Sequence, residues 1–141
     1  MNIDSIANGY VIDHITAGKS MEIYRLLGLS KTDIPVALIT NAVSNKMGRK
    51  DIMKIDADIE IDLDVIGFVD PGATVCVIRG GKLVEKRTSH LPESLVNVIK
   101  CKNPRCITSI EQELDQHFRL TNRETKTYRC EYCEAEGKLS E

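Results

Sequence analysis

Four cysteines near the end of the 141-residue chain have the spacing of metal ligands. Cys101 and Cys106 form a C-x4-C pair, and Cys130 and Cys133 form a C-x2-C pair. Four thiolates suit one Zn²⁺, because this ion accepts tetrahedral sulfur coordination without redox chemistry. Four sulfur ligands also leave no open position for water. The pattern therefore predicts one structural zinc ion rather than a catalytic one.

Three other chemistries use cysteines at this spacing: two disulfides, a redox pair at Cys130 and Cys133, or a rubredoxin-like iron centre. Zinc is favoured over disulfides because the five cysteines are an odd number and their spacing is not that of a secreted disulfide framework. We expect His117, between the two pairs, to be a strand residue rather than a ligand. Cys76 lies in an apolar run and is expected to be a packed, inert thiol.

Lysines in the N-terminal part of the chain alternate as they would on one face of a sheet. If residues 50–55 form a strand, Lys50, Ile52 and Lys54 share a face. With Asp13 and His14 on another strand, such a face has cations for phosphates, aliphatic walls for a ribose and base, and bonding groups for polar atoms. The alternative is a solvated face whose lysines keep a sheet edge soluble.

Alternation also sets a condition on this nucleotide hypothesis. By parity, Asp13 and His14 point to opposite sides of their strand. The same parity separates Leu83 from Lys86. Only binding at a sheet edge, or a β-bulge, would let both members of each pair contact one ligand.

The elements that would position these groups follow from periodicity and turn residues. Residues 55–65 alternate like a strand, but a helix from Leu63 to before Pro71 would cover one sheet face. Gly80 and Gly81 favour a hairpin turn. In chain order we expect a strand at 10–15, a helix with Ser20 as N-cap that stops at Gly28, strands at 35–43 and from Lys50, hairpin strands at 75–78 and 83–86, and a short helix at 93–98.

These elements predict an α+β protein of two domains. Residues 1–95 would form a domain in which helices cover a sheet, and residues 96–141 a small antiparallel domain like a zinc ribbon. The second domain is too short for a stable apolar core, so we expect the metal to supply much of its folding free energy.

The charge balance argues against a nucleic-acid partner. The chain has 19 basic and 21 acidic residues, a formal charge of −2, and the two signs are mixed around the cysteines. No run approaches the ~18 apolar residues of a membrane span, and the N-terminal residues do not read as a targeting segment. We expect a cytoplasmic protein.

Taken in order, these motifs resemble the aspartate carbamoyltransferase regulatory-chain family over nearly the whole length. The cysteines are the most specific feature. Each of the other segments is a weak signal alone, but together and in this order they are specific for the family. The segments that carry the resemblance are 11–15 (VIDHI), 47–51 (MGRKD), 73–75 (ATV), 91–93 (LPE), 101–106 (CKNPRC) and 130–133 (CEYC).

The resemblance implies a non-catalytic regulatory subunit in pyrimidine biosynthesis. Its N-terminal domain would be a ferredoxin-like allosteric domain, a sheet backed by two helices, that binds nucleoside triphosphates such as CTP, UTP and ATP and pairs with a second regulatory chain. Its zinc domain would dock on catalytic chains. Two other classes fit less well. A nucleic-acid-binding zinc ribbon would carry a stronger basic excess, and an enzyme using Cys130 and Cys133 would need a nucleophile motif that is not seen.

The resemblance also assigns roles to residues of the N-terminal domain. Asp13 and His14 would lie beside the base and ribose, Lys54 and Lys86 near the ribose and phosphates, and Lys50 close to the phosphates. The apolar walls would come from five further residues: Ile6, Val11, Ile52, Ile78 and Leu83. Three positions depart from the family pattern: Cys76 stands where an asparagine is frequent, Gly81 where a tyrosine is, and Ala7 where the enterobacterial pattern has lysine.

Overall fold

The chain divides into two compact units. The computed structural model describes residues 6–139, with side chains as far as residue 137. The units are Met1–His90 and Leu91–Glu141. The sequence placed the division after residue 95; in the structure it falls earlier, because residues 94–96 pair within the second unit.

The first unit is a five-stranded sheet with two helices. All neighbouring strands are antiparallel and their order is β2-β3-β1-β4-β5, which is the split β-α-β arrangement of a ferredoxin-like fold extended by one hairpin strand. Its elements are β1 (Gly9–Thr16), α1 (Ser20–Leu26), β2 (Val36–Ser44), β3 (Gly48–Ile55), α2 (Leu63–Val69), β4 (Thr74–Arg79) and β5 (Lys82–Thr88), with a short 3-10 turn at Leu29–Lys31.

One face of this sheet forms the core. Alternation along β1 and β3 buries Ile12, Met53 and Ile55. The two helices contact each other and contribute Ile23 and Ile66, both fully buried. The opposite face, which we call the outer face, carries the residues of the nucleotide hypothesis. The predicted α+β class is therefore confirmed.

The expected helix near Leu63 is present despite the alternating sequence before it. The strand stops at Ile55, and the Asp62 carboxylate accepts a hydrogen bond from Asp64 N at 3.0 Å to cap α2. A Cβ at Gly67 would lie 1.9 Å from the carbonyl oxygen of His90. Only glycine therefore fits at this point of the helix.

Two local predictions are wrong, one at the start of the first helix and one after residue 91. Ser20 was expected to cap α1, but Lys19 holds the N-cap position and makes no side-chain cap. Residues 93–98 were expected to be a short helix, but Ser94–Val96 is a strand. Leu95 lies opposite Phe118 and is buried, so cross-strand pairing overrides the helix signal of Pro92.

The second unit has two small antiparallel sheets. One has the order β6-β8-β9 and the other pairs β10 with β7. Its elements are β6 (Ser94–Val96), β7 (Ile99–Cys101), α3 (Ile107–Ile110), β8 (His117–Asn122), β9 (Thr127–Cys130) and β10 (Gly137–Leu139). Across residues 6–139, no helix is long and apolar enough to cross a membrane.

Candidate functional site

The four predicted cysteines of the second unit lie together. Cys101 ends β7, Cys106 precedes α3, Cys130 ends β9 and Cys133 lies in the following turn. Their sulfur atoms are all within 4.8 Å of one another. The Sγ atoms of Cys101 and Cys133 are 3.4 Å apart, and those of Cys106 and Cys130 are 3.7 Å apart, with every thiol free of a disulfide.

This cluster fits a tetrahedral metal ion. Metal–sulfur bonds of ~2.3 Å place the sulfurs of a tetrahedron about 3.8 Å apart, which lies within the observed spread. Hydrogen-bond donors also point at the sulfurs: Asn103 N lies 3.5 Å from the Cys101 sulfur and Tyr132 N lies 3.4 Å from that of Cys130. Such donors orient thiolate ligands and stabilise their charge.

The sulfurs differ in acidity. Burial raises the pKa of the Cys101 thiol to about 12 and also raises the pKa of Cys130. Burial opposes ionisation of Cys106 too, but the Thr108 hydroxyl, 3.2 Å from its sulfur, and the neighbouring sulfurs outweigh it and lower the pKa to about 7. A bound metal would displace the remaining protons, so metal affinity should rise with pH.

Strand β1 contains the β-bulge that the nucleotide hypothesis requires for Asp13 and His14 to share the outer face. The pairing of β1 with β3 shifts register between Ile12 and Ile15, so β1 contains a bulge, and His14 has a φ of 57°. The His14 ring Nδ1 lies 3.2 Å from Thr74 Oγ1, and Thr74 is the cross-strand partner of Asp13. The bulge therefore lets His14 reach the same side of the sheet as Asp13.

A second bulge, in β5, brings Leu83 and Lys86 to one face of the sheet. The pairing of β4 with β5 shifts register between Val77 and Ile78. Leu83 is then the partner of Ile78, and Lys86 the partner of Cys76. Cross-strand partners share a face, so Leu83 and Lys86, separated by parity in the sequence, lie on the same face.

Cross-strand pairs place two lysines at the ends of one row. Lys54 pairs with Val11, Val11 pairs with Cys76, and Cys76 pairs with Lys86. Three strand spacings of about 4.8 Å separate the end strands, or roughly 14 Å. Burial raises the pKa of the Cys76 thiol, which lies outside the cysteine cluster.

Comparison with known proteins assigns both units. The family model described as the aspartate carbamoyltransferase regulatory chain, allosteric domain, matches residues 1–90. The model described as the metal binding domain of the same chain matches residues 93–141. The chain belongs to the aspartate carbamoyltransferase regulatory-chain family.

Whole-chain relatives agree with these matches. The aspartate carbamoyltransferase regulatory chain of Bifidobacterium longum is 50% identical over 139 residues, covering 99% of this chain and 100% of that protein. The protein of the same name from Clostridium botulinum is 52% identical over 134 residues, covering 95% of this chain and 92% of that protein. The predicted family and the regulatory, non-catalytic character of the chain are confirmed.

The structure places the remaining predicted residues of this regulatory chain as follows. His117 lies in β8 with its ring centroid 6.4 Å from that of Tyr132, outside the cysteine cluster. On the outer face Ile52 and Ile78 are half-buried and Leu83 is 57% exposed. Ile6 is buried, so it adds less open apolar surface than the resemblance implied.

Asp51 is a structurally important residue that sequence reasoning missed. Its side chain is buried on the core face of β3, and its carboxylate accepts hydrogen bonds from Gly18 N, Ser20 N and Asn41 N. Burial opposes its ionisation, but these donors outweigh it and lower the pKa. An acidic residue at an apolar parity position was the signal that could have identified it.

Proposed function

We propose that this chain is the allosteric subunit through which nucleoside triphosphates control aspartate carbamoyltransferase. CTP, UTP and ATP are the candidate effectors, and they would bind the outer face of the N-terminal sheet. The observation that carries this proposal is the pair of bulges, which places Asp13 with His14 and Leu83 with Lys86 on one face. Without them the same residues would be divided between the two sides of the sheet.

The chemistry of this face matches the parts of a nucleotide. Lys54 and Lys86 would make charge-assisted hydrogen bonds to phosphates. Aliphatic side chains would contact the ribose and base, and Asp13 and His14 supply bonding groups for their polar atoms. The apolar residues proposed to contribute are Ile6, Val11, Ile52, Ile78 and Leu83.

The second unit would dock on the catalytic chain through a fold held by one Zn²⁺. Zinc is preferred because four sulfurs at these separations suit a tetrahedral ion that has no redox chemistry. The protein's own contribution is to hold the four thiolates, orient them with backbone N–H donors and exclude a fifth ligand. Free thiols also suit a reducing compartment, so we place the assembly in the cytoplasm.

The partners would be catalytic chains and a second regulatory chain. The test is co-purification with the catalytic chain, with and without a zinc chelator, together with calorimetric titration of the purified regulatory chain with CTP, UTP and ATP. We expect about one zinc per chain, a complex that is lost on chelation, and saturable binding of at least one triphosphate. A complex that survives complete metal removal would contradict the docking role, and no binding of any triphosphate would contradict the effector role.

A further inference from the structure

The half-buried side chain of Gln116 joins the two segments that carry the first pair of cysteines. Its Oε1 accepts a hydrogen bond from Cys101 N at 3.3 Å, and its Nε2 donates one to Thr108 O at 3.3 Å. Thr108 follows Cys106 by two residues, and its hydroxyl lies 3.2 Å from the Cys106 sulfur. One side chain therefore connects the backbone of one cysteine to the segment that holds another.

We propose that Gln116 and Thr108 are positioning residues of the metal site, which set where two of the four sulfurs lie before the ion binds. The ligands remain the four cysteines, and the inference rests on the proposed zinc site. Gln116 acts through Cys101 and through Thr108, and Thr108 acts through Cys106.

The position of Gln116 requires a side chain that both accepts and donates. The N–H of Cys101 needs an acceptor, and the carbonyl of Thr108 needs a donor. An amide supplies both, and these two partners also fix which end of the amide is oxygen. An ionised carboxylate accepts only, and a thioether of the same length does not donate. Glutamine is therefore specific to this position.

The main chain of Gln116 is itself fixed by Asn97. Gln116 N donates to Asn97 Oδ1 at 2.8 Å, and Asn97 N donates to Gln116 O at 2.8 Å. Asn97 lies in the turn between β6 and β7 with a φ of 60°, a conformation that asparagine adopts more readily than most residues. Its Nδ2 also donates to Asp115 Oδ1 at 3.0 Å. The amide of Gln116 therefore extends from a backbone that is held on both sides.

Thr108 carries this order to a sulfur atom. Its side chain is only 2% exposed, so its hydroxyl has little access to water. A metal-bound cysteine is a thiolate without a proton, and the hydroxyl is then the donor to the Cys106 sulfur. Such a donor fixes the direction of the ligand and stabilises its charge, as the backbone N–H groups do at the sulfurs of Cys101 and Cys130.

The experiment measures Zn²⁺ affinity by chelator competition and the absorption spectrum of the chain saturated with Co²⁺. All variants are made in the full-length chain. Gln116→Met and Thr108→Val remove the hydrogen bonds with little change in size, and Thr108→Ser keeps the hydroxyl. Gln112→Met is the matched control, since Gln112 is exposed and lines the same cleft. Tyr128→Phe controls for stability, because it removes a hydrogen bond to Pro92 O in the same unit.

We expect Gln116→Met and Thr108→Val each to weaken Zn²⁺ binding about 10-fold or more, the usual effect of losing a group that orients a metal ligand. Metal binding is coupled to folding, so part of any loss reflects stability, and Tyr128→Phe measures that part. The Co²⁺ spectrum separates the two effects, because a saturated site of unchanged geometry keeps its thiolate-to-metal charge-transfer and d–d bands. These bands should change in Gln116→Met and Thr108→Val, and stay as in the wild type in Thr108→Ser and both controls.

The saturated spectra also give the outcomes that would overturn the inference. A wild-type Co²⁺ spectrum in Gln116→Met would overturn the role of Gln116, whatever the affinity of that variant. If Gln116→Met does not fold with zinc, the same comparison is made on Gln116→Asn, whose amide is one methylene shorter and cannot span both partners. Identical spectra for Thr108→Val and Thr108→Ser would overturn the role of Thr108. A wild-type chain that binds neither Zn²⁺ nor Co²⁺ would contradict the proposed zinc site itself, which separates that failure from the others.

Discussion

Asp51 shows how a single buried charge organises the N-terminal unit. Its three hydrogen-bond donors come from the segment that enters α1 and from the bulge in β2, where Asn41 has a φ of 58°. These backbone N–H groups would otherwise have no partner close to the core. The Asp51 carboxylate thus accepts backbone N–H groups at the start of α1, a role that was expected of the Ser20 side chain.

Replacing Asp51 by asparagine should destabilise the chain in a pH-dependent way. The folded-state pKa lies below the ordinary 3.8, so the stabilisation is complete above 3.8 and is lost as pH falls through the folded-state value. We expect a loss of about 1.5–3 kcal/mol in the free energy of unfolding at pH 7 that shrinks below pH 3.8. Urea unfolding at pH 3 and pH 7 measures it, with exposed Asp33→Asn as the control. An equal loss at both pH values would contradict the argument.

Replacing one cluster cysteine should remove the metal, whereas replacing the cysteine outside the cluster should not. Cys130→Ser leaves three sulfurs around the site, so we expect loss of the bound metal and unfolding of residues 91–141. Cys76→Ser should keep the wild-type metal content. Elemental analysis and circular dichroism of both variants give the result. A Cys130→Ser chain that stays folded and metal-loaded would be evidence against a four-cysteine site.

At the scale of elements, the bulges in β1 and β5 decide which side chains share the outer face. Each inserts one extra residue, so a pair of side chains that alternation would separate ends on one side. The hairpin turn between β4 and β5 is as predicted, since Gly80 and Gly81 have φ values of 59° and 75°. The turn residues are visible in the sequence, and the bulge beyond them is not.

Alanine at Lys54 or Lys86 should weaken nucleotide binding about 10-fold or more, because each lysine is proposed to make a charge-assisted hydrogen bond. Metal content and binding to the catalytic chain should remain normal. Calorimetry with CTP, UTP and ATP makes the measurement. Lys82→Ala is the matched control, since Lys82 is adjacent to Leu83 in β5 and therefore on the other face. Unchanged affinity in both variants would mean that the ligand binds elsewhere.

Gly67→Ala should lower Tm even though alanine is the better helix former. Its Cβ would collide with the His90 carbonyl oxygen, and relieving such a backbone clash costs about 1–3 kcal/mol, more than the ~1 kcal/mol gained in helix propensity. Thermal unfolding followed by circular dichroism tests this. A higher Tm in the variant would show that α2 can shift away from His90 without cost.

At the scale of the whole molecule, the two units correspond to the two family domains. The allosteric domain match ends at residue 90, where the first unit ends, and the metal-binding match starts at residue 93. Pro92 and Glu93 already belong to the second unit, because Tyr128 donates a hydrogen bond to Pro92 O at 2.5 Å and Arg123 contacts Glu93 at 3.0 Å. A fragment of the second unit should therefore begin at Leu91.

The fragment Leu91–Glu141, loaded with zinc, should bind catalytic chains but give them no response to nucleotide. Its docking surface would be retained, and its effector site would be removed with the first unit. Sedimentation measures binding, and catalytic activity with and without CTP or ATP measures the response. A nucleotide response that the catalytic chains alone lack would contradict this division of roles. Failure of the folded fragment to bind would place essential contacts in the first unit.

The sequence by itself determined the cysteine cluster, the family and the row of β3 side chains on the outer face. Each closely spaced cysteine pair forms a local turn, so the only further inference needed was that the two turns come together around one metal ion. The two-residue period of a strand places Lys50, Ile52 and Lys54 on one face, and this period depends only on the strand itself. These features depend on residues that are close to one another in the sequence.

The tertiary structure decided what depends on partners far away in the sequence. Residues 94–96 are a strand because Leu95 meets Phe118. Asp51 accepts hydrogen bonds because the start of α1 and the bulge in β2 bring backbone N–H groups to it. Lys50 is paired with Asp13, at 2.9 Å between Nζ and Oδ1, because β1 lies beside β3 in the sheet. Local propensity contributes only tenths of a kcal/mol per residue, whereas full burial of a side chain such as Leu95, or a hydrogen bond to a charged group, contributes about 1.5–3 kcal/mol. The long-range partner therefore sets the conformation wherever the two disagree.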